Sequence, residues 1–344
     1  MNDYLIRRLT PEDAPGVAAL VRRVWGEDYF RRALYDPDAL LRANADGRLL
    51  SVVGIDSTGR VVAHDALSRP EHESWAETGA AMVDPEHRHH GLMSKTRPFV
   101  IQAAREEGLN GVFGHPVADH VFSQNVYVDL GFTCLGVMAG ELPSRYLRHV
   151  PPEYRSRHGS MLLYALPLRS FTPRRIFPPT QHADLIHSLY ARLGIPVTNS
   201  GKPMLLQSSA RAMRARYDED FDILVIDRID SAQEPDACRT DFERATAGHD
   251  NVLVQIPLDR ETSPDWCAWV EHEGFFFAGI TPGFDNGRDV IFYIRLQEAP
   301  VPVIYYADPK AEDIIKAVLA DCRRATGGAI KSVLVQSDSR SSSH

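Results

Sequence analysis

The sequence predicts an α/β fold of the α+β mixed-sheet kind, arranged as two modules in tandem, and three observations carry that expectation. A buried apolar strand, Ala80 to Val83, stops at Asp84 and Pro85 and leads through Arg88, His89, His90 and Gly91 into about four turns of helix from Leu92 to Glu107. Tyr127, Val128, Asp129, Leu130, Gly131 and Phe132 then close a second helix and open another strand. The length, 344 residues, is long for one such domain and suits two.

The elements follow in order. Tyr4 to Leu9 reads as a first strand. Thr10, Pro11, Glu12 and Asp13 read as a helix start, with an N-cap hydroxyl, proline at the first position and acids in the first turn. That helix carries Val17, Leu20, Val21 and Val24 on one face and Arg22 and Arg23 on the other. Leu49 to Ile55 and Val61 to Leu67 flank the turn Asp56, Ser57, Thr58, Gly59, a hairpin signal, and the strand bearing Met82 follows as the third of a meander. After the Gly91 helix come a strand from Gly111 to His115, the Tyr127 helix and a strand to about Leu142.

Residues 1–142 are thus one module. From 143 to 180 the chain becomes proline-rich and basic, with Arg145, Arg148, Arg155, Arg157, Arg169, Arg174 and Arg175 against Glu153, and reads as a linker holding one strand, Ser160 to Leu166. Its arginines either pack their stems on the domains as a solvated connector or track the phosphates of a ligand or of RNA. The second module, 181–335, opens with an amphipathic helix, His182 to Leu193, and continues with strands Asp222 to Ile229 and Asn251 to Pro257. A helix capped at Ser263, Pro264 and Asp265 runs through Glu273 into Gly274, Phe275, Phe276 and Phe277, repeating the Gly131, Phe132 helix exit. A strand, Val301 to Tyr306, and a helix, Pro309 to Thr326, complete it, and 336–344 is read as a polar disordered tail.

Composition bounds the function. The chain is 44% apolar and 24% charged with a formal net charge of −8, so no bulk attraction to nucleic acid follows. Cys134, Cys238, Cys267 and Cys322 lie far apart without zinc or disulfide spacing, no apolar run is long enough for a membrane span or signal peptide, and reduced thiols in a cytoplasmic protein are expected. No Gly-x-Ser-x-Gly elbow, Walker loop or Gly-x-Gly-x-x-Gly follows a strand, which removes hydrolase, kinase and dehydrogenase readings.

The loop supplies the positive reading. A strand ending at proline, Arg-x-x-Gly and a helix start aim several unpaired backbone N–H groups at one point, where an anionic pyrophosphate fits. Val83, Pro85, Arg88 and Gly91 stand in register with the pattern Val-x-Pro-x-x-Arg/Gln-x-x-Gly-x-Gly/Ala. His120, Ser123, Tyr127, Gly131 and Phe132 fall on Asn-x-x-Ala/Ser-x-x-x-Tyr-x-x-x-Gly-Phe. On these residues the N-terminal module resembles the GNAT acyltransferase superfamily, with Met93 where the family carries Gly or Ala and His120 where Asn is commoner. The second module looks like a degenerate GNAT fold without the loop.

The resemblance implies acetyl-CoA or another acyl-CoA as co-substrate. Backbone groups near Met82 and Val83 would hold the pantetheine and polarise the carbonyl. Amides of His89, His90, Gly91, Leu92, Met93 and Ser94 would grip the pyrophosphate, with Arg88 adding charge and Ser123 joining the cofactor-binding set. Tyr127 occupies the position of the acid that protonates the leaving thiolate; a phenol of pKa about 10 stays protonated at neutral pH. The alternative for Tyr127 is a core tyrosine. The general base stays open among Glu77, His115 and His120, the last beside Asp119. Each histidine can instead be a cap or support, and Glu77 a solvent-facing strand residue. His89 and His90 have no acidic or cysteine partner at metal spacing, and no metal is expected.

The leading function is N-acylation of a small-molecule amine from a CoA thioester, with acceptor loops at Trp25 to Tyr35 and His72 to Trp75. An aminoacyl-tRNA-dependent, Fem-like amide-bond-forming transferase of tandem GNAT architecture is the alternative, with tRNA held by the arginine-rich segment 145–175. A non-catalytic acyl-CoA-binding regulator is the third reading. No membrane partner is expected, and the oligomeric state and the acceptor's identity are not readable.

Overall fold

The computed structural model describes residues 4–69, 74–147, 149–198, 213–229, 235–285, 287–329 and 333–336. His72, Arg148 and residues 337–344 of the expected tail lie outside the described residues, whereas Gln336, counted with that tail, ends a strand. The chain divides into two compact units, Met1–Gly114 with Leu166–Arg169, and His115–Ala165 with Ser170–His344.

The first unit contains β1 (Leu5–Arg8), α1 (Ala14–Trp25), α2 (Pro37–Ala45), β2 (Leu49–Ile55), β3 (Val61–Ser68), β4 (Trp75–Val83), α3 (Leu92–Glu106) and β5 (Gly111–Gly114). A 3-10 turn, Pro11–Asp13, leads into α1, and the expected Thr10 hydroxyl cap is replaced by Asp13, whose carboxylate accepts from the Thr10 amide at 2.8 Å and the Thr10 hydroxyl at 2.9 Å. Val17, Leu20 and Val21 point into the core, while Arg22 and Arg23 are exposed. In the hairpin turn, Asp56 Oδ1 accepts from the Thr58 and Arg60 amides at 2.9 and 3.0 Å, an Asx turn closed by Gly59 at φ 87°. Helix α2 was not anticipated, although Asp36 before Pro37 is its start signal: Asp36 Oδ1 accepts from the amides of Asp38 and Ala39.

Strands β1 to β4 form an antiparallel meander, and α3 carries the chain to β5, which pairs parallel with β4. That connection puts the start of α3 at the carboxyl end of β4.

The second unit contains α4 (Phe122–Asp129), β6 (Thr133–Leu142), β7 (Gly159–Pro167), α5 (Ala183–Arg192), β8 (Met213–Asp218), β9 (Ile223–Ile229), α6 (Arg239–Thr246), β10 (Asn251–Pro257), α7 (Ser263–His272), β11 (Phe276–Asp285), β12 (Arg288–Leu296), β13 (Val303–Tyr306), α8 (Glu312–Ala325) and β14 (Val333–Gln336). Strand β7, expected within the basic stretch, pairs antiparallel with β6 from Thr133/Ala165 to Leu142/Gly159 and so belongs to a sheet. Strands β8 and β12 and helix α6 were not anticipated. For β12 the signal was present, since Val290 to Ile294 is a continuous apolar run and is buried.

Pairing in this unit runs β7-β6-β11-β12-β10-β9-β8. Strands β9 and β10 are parallel and connected through α6; β10 and β12, and β11 and β12, are antiparallel. Strands β6 and β11 meet at Gly136 and Gly279, where an added Cβ would stand 2.4 Å from the Ala278 carbonyl oxygen or 2.5 Å from that of Leu135. Only glycines allow the backbones that close. Phe275, Phe276, Phe277, Trp266 and Tyr293 fill the core around this seam. All four cysteines are buried, and no described helix is long and apolar enough to cross a membrane.

Candidate active site

The geometry at the end of β4 begins with a bulge. Pairing with β3 jumps from Ala66/Gly79 to His64/Met82, and Ala80 adopts φ 53°. The carbonyl of Ala80 accepts from His64 Nδ1 at 2.8 Å. Burial pushes the His64 imidazole down to about 4, against the Ala80 hydrogen bond, so the ring is neutral and serves as a fixed donor. Pairing of β4 with β5 lasts only from Trp75/Gly111 to Glu77/Phe113. The Thr78 hydroxyl then donates to the Phe113 carbonyl at 2.9 Å, and β5 ends at Gly114. Beyond Thr78, β5 does not continue along the β4 edge that leads to Met82 and Val83.

The next turn is held from beneath. Asp84 is 1% exposed, and its carboxylate accepts from Arg23 Nε at 2.6 Å, Arg60 Nη2 at 2.7 Å and the Glu86 amide at 3.1 Å. Burial works against its ionisation, but these donors hold the carboxyl below its usual range. Tyr4 braces the far side, with its hydroxyl 3.1 Å from His87 Nδ1 and the Lys95 ammonium over its ring at 5.4 Å.

On this base the loop turns outward. His89 and Gly91 take left-handed φ of 64° and 67°, and Gly91 is the N-cap of the 15-residue α3 with no side chain capping it. A Cβ on Gly91 would meet nothing within 4 Å, so the space over the helix start is open. Arg88, His89, His90, Gly91 and Ser94 are exposed, Met93 is partly buried and Leu92 is buried as the anchor. First-turn amides without side-chain caps, ringed by Arg88, His89, His90 and Lys95, present partial and formal positive charge to one anion. Arg97 Nε donates to Asp65 at 2.8 Å, a fully buried pair joining α3 to β3. Burial raises the Asp65 carboxyl to about 6, opposed by Arg97.

Glu77 faces Arg31, whose Nη2 donates to its Oε2 at 2.8 Å. The other candidate catalytic residues belong to the second unit. Tyr127, on α4, is 5% exposed and packs edge-on against Phe132 at 4.8 Å. Ser123 is partly buried in the first turn of α4. His120 Nδ1 accepts from the Phe122 amide at 3.2 Å, capping the helix, and its Nε2 stands 3.7 Å from Asp119 Oδ1. Burial lowers its pKa, against the attraction of Asp119. His115, partly buried, precedes this helix. Glu141 on β6 is 9% exposed, with burial pushing its carboxyl up to about 7 against the influence of His115.

Against this geometry, the sequence profile of the Acetyltransferase (GNAT) family matches residues 15–132. That segment is a GNAT acetyltransferase domain. Among solved structures, a putative acetyltransferase from Acinetobacter baylyi is 14% identical with a TM-score of 0.40, covering 49% of this chain and 94% of its own. A putative acetyltransferase from Salmonella typhimurium, solved with its cofactor acetyl-CoA, is 17% identical with a TM-score of 0.40, covering 52% and 99%. The ribosomal-protein-S5-alanine acetyltransferase from Vibrio fischeri is 16% identical with a TM-score of 0.39, covering 48% and 94%. A comparison with curated protein sequences finds no significant match.

Acetyl-CoA is the donor of the GNAT family, and acyl transfer from CoA is its chemistry. The GNAT domain holds residues that sequence reasoning missed. Asp84 directly precedes Pro85, a capping signal that was readable. Asp65 is a charge inside the apolar run Val61 to Leu67, a local signal that was not read, and its partner Arg97 lies on another element where no spacing rule finds it. Outside the domain, several arginines of the basic stretch are engaged locally. Arg175 pairs with Glu261 at 3.0 Å, Arg174 donates to the Gly287 carbonyl at 2.6 Å, and Arg145 bonds the Asp220 carbonyl. Arg145, Arg157, Arg174 and Arg175 each lie over an aromatic ring.

Proposed function

We propose that the chain is an acyl-CoA-dependent N-acyltransferase whose acceptor is the amine of a small molecule. The observation that carries this is the open, uncapped start of α3, where Gly91 and His89 in left-handed conformation expose the amides of Leu92, Met93 and Ser94 beside Arg88. The β4 bulge supports pantetheine binding at Met82 and Val83, because the edge there is not continued by β5. Tyr127 serves as the acid. The amine nitrogen attacks the thioester carbonyl, the C–S bond breaks, and the phenol gives its proton to the departing thiolate while the ammonium formed on the acceptor loses one to a base. His115 is the base favoured here. Glu77 is held by Arg31 and His120 Nδ1 by the Phe122 amide.

The second module's parallel β9 and β10 joined through α6, followed by α7 and the antiparallel β11 and β12, supports its reading as a degenerate GNAT-like domain. The test is thiol release from acetyl-CoA against a panel of small amines. Turnover is expected in the wild type, with kcat falling about 10²- to 10⁴-fold in Tyr127→Phe while calorimetric CoA binding is unchanged. CoA binding without turnover on any amine would reject the transferase reading and leave a binder.

A further inference from the structure

Away from the GNAT domain, three ligating side chains converge within the second unit. His182 ends a single 3-10 turn before α5, Glu271 lies in the last turn of α7, and Asp321 is on α8. One ligand atom from each lies within 4.8 Å of the others. We propose that His182, Glu271 and Asp321 form a binding site for a divalent transition-metal ion that ties these three helical elements together.

The decisive observation is His182 itself. Its side chain is 9% exposed, and its Nε2 has no hydrogen-bond partner although it points at Asp321 Oδ2 from 3.8 Å. A buried imidazole nitrogen left unpaired costs free energy unless something fills its place. The ring cannot easily turn away, because it stacks on Phe277 at 4.4 Å with an interplanar angle of 22°.

The carboxylates are oriented as metal ligands usually are, by donors on their outer sides. Asp321 Oδ2 accepts from the Phe277 amide at 2.8 Å and Oδ1 from Arg324 Nε at 2.8 Å. Glu271 Oε1 accepts from the Tyr293 hydroxyl at 2.7 Å, and Gln181 Nε2 donates to Oε1 at 2.7 Å and Oε2 at 2.9 Å. Each oxygen keeps lone-pair capacity. The two carboxylates against the one guanidinium of Arg324 leave net negative charge toward a cation.

Imidazole with two carboxylates favours zinc-like transition ions over Mg²⁺ or Ca²⁺, which take oxygen alone. Tetrahedral ligands at 2.0–2.1 Å stand about 3.3 Å apart. The observed spread of up to 4.8 Å closes with a shift of up to about 1.5 Å, which rotation of the partly buried Glu271 side chain supplies. Water would complete the coordination. The spacing along the chain hides the site from sequence reading, since its residues come from three separate elements.

The test is titration of the metal-stripped full chain with Co²⁺, followed by its visible absorption, and with Zn²⁺ by calorimetry. One saturable equivalent is expected. His182→Gln and Glu271→Gln should each weaken it at least about tenfold, while a His89→Gln/His90→Gln variant should leave it unchanged. Glu271→Gln keeps an acceptor for Gln181 and Tyr293, so it decides the matter should His182→Gln fail to fold. Binding that is absent, survives Glu271→Gln or vanishes with His89 and His90 overturns the site.

Discussion

The crossovers β4–α3–β5 and β9–α6–β10 share their wiring and differ in what stands at the helix entrance. Both join parallel strands through a helix. In the first, a 15-residue helix begins at an exposed left-handed glycine amid Arg88, His89, His90 and Lys95. In the second, an 8-residue helix begins at buried Cys238 next to Asp236, and its basic Arg239 is consumed by Asp236 at 3.0 Å and Glu273 at 2.8 Å. Topology therefore does not make an anion site. The proposed anion site needs uncapped amides together with unspent positive charge, and among the described residues only the first crossover has both.

The largest test of that contrast attacks what holds α3 in place. Arg97→Met leaves the Asp65 carboxyl fully buried without its counter-ion, and such a break costs about 3–5 kcal/mol. Urea unfolding should show that loss as a lower midpoint. A variant as stable as the wild type would mean that apolar packing of Val100, Ile101 and Ala104 alone docks the helix.

At Glu141 burial acts in the same direction as at Asp65, raising the carboxyl's pKa. Glu141 Oε1 has no hydrogen-bond partner, and its carboxyl titrates at about 7 rather than 4.5 because burial disfavours the charge. The folded state thus binds more protons than the unfolded one between about pH 4.5 and 7, so this group lowers stability as pH rises through that window. At 1.36 kcal/mol per unit, Glu141→Gln should be more stable than wild type by roughly 2 to 4 kcal/mol at pH 8 and equal at pH 4. A gain that is the same at both pH values would show that Glu141 is charged in the fold, or that its removal acts through packing.

These two cases also mark where the sequence stopped being legible. The helix start at Gly91, the meander and the Gly131, Phe132 exit were readable because each is local: a turn residue, an alternation, a cap. The partners Arg31 of Glu77 and Arg97 of Asp65 were not, since ion pairs across elements leave no periodicity. The same holds for Glu141, whose consequence comes from burial rather than from residue type. Helix α2 and strand β12 are different: Asp36 with Pro37 and the apolar run Val290 to Ile294 were local signals, and reading them required no tertiary knowledge.

A smaller effect separates the two helix entrances directly. Arg88→Glu reverses the charge nearest the open amides and should weaken CoA binding about tenfold to a hundredfold in calorimetry, the worth of one charge-assisted contact. Arg239→Ala at the other entrance should leave CoA affinity unchanged. Equal losses in both variants would erase the contrast and point to diffuse electrostatics, which high salt would then abolish.

The smallest effect concerns His120, which stands where the family more often carries asparagine. Its Nδ1 accepts from the Phe122 amide, so the ring acts as a helix cap, and asparagine at such a position caps equally well. His120→Asn should therefore keep both stability and the pH profile of kcat, whereas His120→Ala should lose about 1 kcal/mol of stability and still keep that profile. A base would behave otherwise, because both substitutions would remove the titrating group and flatten the acidic limb. The two variants thus separate a residue that holds α4 in register from one that moves a proton, and they do so with the amine acceptor unidentified in structure and only its acetylation rate measured.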